Sequence, residues 1–463
     1  MKSMLLKGMT LLLAISLAAC GGGGDSSSST TGGVPSAPTS MAAACGNQKI
    51  TVSWTAATGA TSYNVYRSTS AGATGTLAGS STTTSYVDAA GTVGTTYYYT
   101  VKAVNSSGES AASSEVSETF YKLLAGAMQG KSLSLTGTVS TFAGSSGFSG
   151  LINGVGSVAR FSLPQGMTTD GAYLYVADYL NNVIRKIDPA TQTVSIFAGS
   201  STGASGSADG VGTAATFLRP YDITSDGTNL YVTDYNNCTV RKIEIATATV
   251  TTFAGTAGTC STAADGTGTA AIFANPQGIT TDGTSLFVSQ NTCVRKIDIA
   301  TKVVTTLAGS LTGSVGHVDG TGTTVRFNNL EGITTDGTYL YILDYYYMDI
   351  RKINITTAAV TTFAGQGASS SVDGVGTAAT FNHPIGISSD GTNLYVVEQW
   401  GDVIRKIDIA STAVSTLAGL AATSGTTDGV GTAARFSSPH GITTYCGNLF
   451  IGDTGNSSIR RIQ

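Results

Sequence analysis

Three histidines, six cysteines and 28 acidic residues set the limits of what chemistry this chain could do. Metal-dependent hydrolysis needs three or four His, Asp, Glu or Asn side chains converging on one ion. The best-placed candidates occupy a recurring phrase of the Pro-x-Gly-Ile type. Its middle residue changes at each occurrence, through Gln165, Tyr221, Gln277, Glu331, Ile385 and His440. Leu330 replaces the proline in the fourth copy, and Asp222 the glycine in the second. Glu331 and His440, with Asp222 and His383 near them in the phrase, are weak metal-ligand candidates. They stand in different copies and no spacing fixes their distances, so neither a metal nor a cofactor is assigned. His317, in a glycine-rich loop, is expected to be exposed. No Gly-x-Ser-x-Gly elbow has plausible histidine and acid partners, so no catalytic residue is assigned. The Asp-Gly-x-Gly loops at 209, 265, 319, 373 and 428 lack both a following Gly-Lys-Ser/Thr and alternating calcium ligands.

The frame around these residues is set by composition and repetition. Charged residues make up only 11% of 463, against about 25% in ordinary soluble chains. Glycine occurs 59 times and proline 8, without a Gly-X-Y period, which fits short strands joined by tight turns. With Lys+Arg 24 against Asp+Glu 28, no basic excess exists to neutralise a phosphate backbone, and nucleic acid is excluded as a partner.

Lys2 and Lys7 precede an apolar run at 9–19, too short to span a bilayer and suited to a signal-peptide core. The run ends Leu17-Ala18-Ala19-Cys20, which resembles a bacterial lipobox. The resemblance implies a signal peptide over 1–19 and acylation of Cys20, giving a membrane partner through lipid. Gly21 in place of Asp favours the outer membrane or cell surface over the inner membrane. The Gly/Ser stretch that follows, to residue 34, reads as a flexible tether.

Residues 35–120 alternate apolar and polar in short runs between turn residues, the grammar of strands. Ile50, Val52 and Trp54 share one face. PSAPT at 35–39, SYNVYRS at 62–68 and TYYYTVKAVNSSGES at 96–110 resemble a fibronectin type III domain. On that resemblance Trp54 is the core tryptophan and Tyr97 the corner tyrosine. Residues 121–136 read as a linker.

From residue 137 self-similarity dominates. VSTFAG at 139 recurs at 194, 250, 304, 360 and 414, with spacings of 55, 56, 54, 56 and 54 residues. Each unit predicts four strands, a to d. Segments such as LYVADYLNNVIRKID at 174–188 resemble the NHL repeat, which implies a six-bladed β-propeller over 137–463. The last unit stops at its strand c, while a spare strand d lies at 139–144; pairing the two would close the ring. The fold class is therefore all-β, an immunoglobulin-like sandwich followed by a propeller closed by an N-terminal strand. The Arg-Lys pairs at 185, 241, 295, 351 and 405 and Arg460-Arg461 hold 12 of the 24 basic residues. Alternation turns one member of each pair outward on its strand, near Asp188 and its equivalents, as a solvated strand face or, alternatively, an anionic-ligand stripe.

In such a propeller the variable Pro-x-Gly residues point toward the channel mouth, and the d–a and b–c loops share one face. Tyr345, Tyr346, Tyr347 and Trp400 fall in b–c loops and suit sugar or protein contact. Cys260 lies on the same face as Cys238 and Cys293; it could pair with either, and Cys238 is favoured. Cys446, in an a–b turn on the opposite face, lies where the sandwich would be delivered, which suggests a Cys45–Cys446 bridge. The leading reading is a surface-anchored binding or scaffold module for a protein or carbohydrate. The alternatives are a metal-dependent hydrolase or lyase at the channel mouth and a purely structural envelope protein.

Overall fold

The computed structural model describes residues 33–463; the leader, Cys20 and nearly all of the tether lie outside them. Residues 35–120 form two antiparallel sheets around one core. Thr39–Gly46, Lys49–Thr55 and Ser85–Asp88 make the first sheet. Ser62–Ser68 and Thr96–Asn105 lie at the centre of the second. The alternation in sequence is the burial pattern, because Ile50, Val52, Trp54, Tyr63, Val65, Tyr97, Tyr99 and Val101 turn inward together. The Thr92 N–H donates to Tyr97 Oη at 2.9 Å, so this tyrosine ties a turn to the sheet.

The six repeats form six five-stranded antiparallel sheets of one design. In the second, the order from the inside is Pro220–Ser225 (a), Asn229–Asp234 (b), Thr239–Glu244 (c) and Thr249–Ala254 (d), with Gly210–Val211 outermost. The Asp-Gly turn works as a side-chain clamp. Asp226 Oδ1 accepts the Thr228 and Asn229 N–H groups at 2.8 and 2.6 Å, while Gly227 takes φ +89°. In the last sheet the N-terminal Thr138–Gly144 pairs with the C-terminal Ser458–Ile462.

Adjacent innermost strands approach so closely that the repeated glycine is steric in origin. A Cβ on Gly386 would collide with the His440 carbonyl oxygen, and one on Gly441 with that of Gln165. The sixth innermost strand therefore lies against the first.

One member of each Arg-Lys pair does face outward, and the sequence left open which: Arg185, Arg241, Arg295, Arg351, Arg405 and Arg460 are all 0% exposed. Alternation sends the arginine inward and leaves its neighbour half-exposed. Arg241 shows the reason, donating to Asp234 at 3.0 Å, to Asp209 at 2.7 Å and to the carbonyls of Thr216 and Ala208. The Asp of each Asp-Gly-x-Gly loop is thus the outer jaw of an arginine clamp, with Asn153 serving in the first repeat. A planar five-donor guanidinium suits such a node where an ammonium would not.

The segment read as a linker contains a hairpin, Lys122–Leu124 with Ala127–Gln129. Its turn sits on the a–b ends of the innermost strands. The Gly126 carbonyl accepts from Thr168 Oγ1, the Thr169 N–H and Thr443 Oγ1. The Met128 carbonyl accepts from Thr444 Oγ1, and Gln129 Nε2 donates to the Thr335 carbonyl. The hairpin thereby stoppers one end of the channel. On the same side Cys45 is bonded to Cys446, with Cα atoms 6.0 Å apart.

Candidate functional site

The open end of the channel is where the variable residues meet. Tyr221 and Glu331 stand second in the innermost strands Pro220–Ser225 and Leu330–Thr335, Gln277 and His440 lie two residues before Ile279–Thr281 and Ile442–Tyr445, and the four join in one hydrogen-bonded chain. Tyr221 Oη donates to Glu331 Oε2 at 2.7 Å, and Gln277 Nε2 to Glu331 Oε1 at 2.7 Å. Asn329 Nδ2 reaches the same carboxylate oxygen at 3.2 Å. His440 Nε2 lies 3.1 Å from Tyr221 Oη. Gln165 is also buried at the mouth, with its Oε1 unpartnered, and Ile385 supplies an apolar wall.

Burial dominates the electrostatics here. Loss of solvent pushes Glu331 up to about 8, against the pull of the Tyr221 and Asn329 donors. It pushes Asp222 up to about 7, although the Ile279 and Ile223 N–H groups both donate to that carboxylate. His440 is driven down to about 3 by the same cause and is a neutral imidazole near pH 7. The cavity among Tyr221, Asp222, Ile385 and His440 measures about 30 Å3, space for one or two water molecules.

Among the described residues no three His, Cys, Asp or Glu side chains are grouped so as to hold a metal ion. Glu331 and His440 communicate only through the Tyr221 hydroxyl. His383 bonds Asn382 through Nδ1 and packs between Tyr345 and Trp400, with ring centroids at 4.8 and 4.0 Å. His317 is exposed, as its loop implied, and bonds Asp349, with the Tyr347 ring at 4.7 Å.

The three consecutive tyrosines therefore diverge. Tyr345 packs on His383 and edge-on to Tyr346, Tyr347 turns to His317, and Tyr346 stands 59% exposed, as does Trp400. Two aromatics not singled out in the sequence complete the mouth, Tyr235 stacked on Tyr221 at 5.3 Å and Tyr179 edge-on to it at 6.1 Å. Their signal is positional, since both directly follow the Asp that ends strand b. Cys238 is bonded to Cys260 on this loop face, while Cys293 is a buried free thiol.

No family model matches the chain. It is 28% identical over 299 residues to NHL repeat-containing protein 2 of Bos taurus, matching 57% of this chain and 41% of that one. The chain thus spans less than half the length of that relative. A protein of unknown function from Bacteroides thetaiotaomicron has a similar structure, with TM-score 0.55 and 18% identity over 93% of this chain and 98% of that one. An auxiliary nutrient binding protein from the same bacterium gives TM-score 0.54 and 19% identity, covering 94% and 99%. Those likenesses establish the fold alone. Repeat spacing, sheet order and relatives agree that this chain carries an NHL-repeat β-propeller.

Proposed function

We propose that the chain is a lipid-anchored envelope protein whose propeller binds a protein or carbohydrate partner through its loop face. Cys20 would carry the lipid at the outer membrane or cell surface. Residues 35–120 would serve as a fibronectin type III spacer, and 137–463 as a closed, six-bladed ring. One observation carries the binding role: two large aromatics, Tyr346 and Trp400, are each 59% exposed on loops held by a rigid frame. Exposed aromatics on scaffolded loops are the usual anchors of recognition. The Glu331 cluster reads as support for that face, because its carboxylate is 4% exposed and already accepts three hydrogen bonds.

The test is binding of the full chain to purified envelope polysaccharides and envelope proteins, compared with a Tyr346→Ala/Trp400→Ala variant. Loss of binding with unchanged thermal unfolding supports the reading; binding equal to that of the parent overturns it. The anchor is tested separately, since labelling with a radioactive fatty acid should vanish on Cys20→Ala.

A further inference from the structure

The repeat is broken at one place on the loop face. In five repeats four residues separate the end of strand b from the start of strand c, as between Asp178 and Val183 or Asp344 and Asp349. In the third repeat only Asn291 and Thr292 separate Gln290 from Cys293. The longer loops lean back on the segment before their own innermost strand: Leu180 N–H bonds the Ser162 carbonyl, and Asn236 N–H that of Leu218. The third loop is too short to do so. The uncovered space is a cleft of about 350 Å3 between the third and fourth repeats, within the size range of ligand pockets.

The lining of this cleft is chemically distinctive. No charged side chain borders it, while Asn291 and Asn328 present amides, Thr262 and Thr312 present hydroxyls, and the exposed Tyr346 forms one wall. Amides offer paired donors and acceptors, and an aromatic face accepts the C–H face of a sugar ring. A phosphate or carboxylate ligand would find no countercharge here. The floor is fixed in advance, because Thr292 Oγ1 donates to the Ser310 carbonyl and Asn329 is tied to Glu331.

We propose that this cleft binds a segment of neutral oligosaccharide, with Tyr346 as the stacking platform and the Asn291 and Asn328 amides reading hydroxyl groups. The proposal rests on the loop-face reading above and narrows it to one site and one ligand class.

Affinity electrophoresis of the full chain tests it in gels containing laminarin, glycogen, galactomannan or arabinoxylan, with polygalacturonate as the acidic comparison. At least one neutral polysaccharide should retard the chain. That retardation should weaken about tenfold in Tyr346→Ala and persist in Val375→Ala, a change on the outer rim. It should also be unchanged between about 0.05 and about 0.5 M salt, because no charge is involved. Insertion of two residues between Asn291 and Thr292, restoring the length of the other loops, should abolish it while leaving thermal unfolding intact. Retardation by none of the neutral polysaccharides overturns the proposal, as does retardation by polygalacturonate alone. Retardation lost in Trp400→Ala and kept in Tyr346→Ala overturns the cleft but leaves the loop-face reading standing. Protein binding that depends on Trp400, without any glycan retardation, has the same meaning.

Discussion

Replacing Arg241 by Met should destabilise the propeller more than replacing Arg295 by Met, and the third repeat makes this a controlled comparison. Both arginines are 0% exposed, and each donates to two backbone carbonyls. Each also binds a half-exposed loop aspartate and lies over a phenylalanine ring, at 5.1 Å for Arg241 and 5.3 Å for Arg295. These losses are common to the two variants and cancel in the difference. What remains is the inner partner. Arg241→Met strands Asp234, a fully buried carboxylate that burial already raises to about 6. Arg295→Met strands no inner acid, because Gln290 occupies that position.

Removing one member of a buried pair costs about 3–5 kcal/mol. Asp234 keeps the Asn237 and Leu218 donors, which places the excess near about 3 kcal/mol. For a cooperative unit of this size that corresponds to an extra drop in Tm of about 5 °C. Thermal unfolding at pH 8 should show this gap. Asp234, unpaired in the variant, becomes neutral as the pH falls, so the gap should narrow by pH 5. Equal Tm values at pH 8, or a gap that does not narrow, would refute the claim that the inner acid makes these clamps costly to break.

Deleting 138–144 removes the strand paired with Ser458–Ile462 and should lower Tm by more than about 5 °C in a thermal scan; an unchanged Tm would mean that this pairing holds nothing together. Glu331 is raised from 4.5 to about 8 by burial, so the folded state binds its proton more tightly than the unfolded chain does. Its contribution to stability is therefore greatest below about 4.5 and is lost as the pH rises through about 8, and Glu331→Gln should flatten that stretch of the urea-stability profile by a few kcal/mol. Non-reducing peptide mapping should recover 45 linked to 446 and 238 linked to 260, with Cys293 alkylated only after denaturation; rapid labelling of native Cys293 would contradict its burial.

Much of this arrangement was legible in the residues. The recurring VTTFAG and Pro-x-Gly phrases located the strands, and the variable residue within the second phrase pointed to Tyr221, Gln277, Glu331 and His440, which do lie together. Periodicity could not say which member of Arg241-Lys242 turns inward, because both residues are basic and the deciding partners, Asp209 and Asp234, come from a loop and from another strand. Nor could it find the 122–129 hairpin. KLLAGAMQG is too short to show a period, and its partners Thr168, Thr335 and Thr444 lie in distant repeats. The cleft was hidden for a different reason. It is made by two missing residues, and an absence carries no side chain to notice.

The Cys45–Cys446 bond has a mechanical consequence. Tension applied from the N-terminal side reaches Cys45 before it reaches the hairpin or the strand at 138–144, and it can pass directly into the sixth repeat at Cys446. The covalent shunt leaves residues 46–137 slack, so a pull from that side does not peel the strand on which the last sheet depends. With the bond reduced, the same pull would run through that strand and unzip it from Ser458–Ile462. Resistance to a pull from that side would thus depend on the redox state of the surroundings.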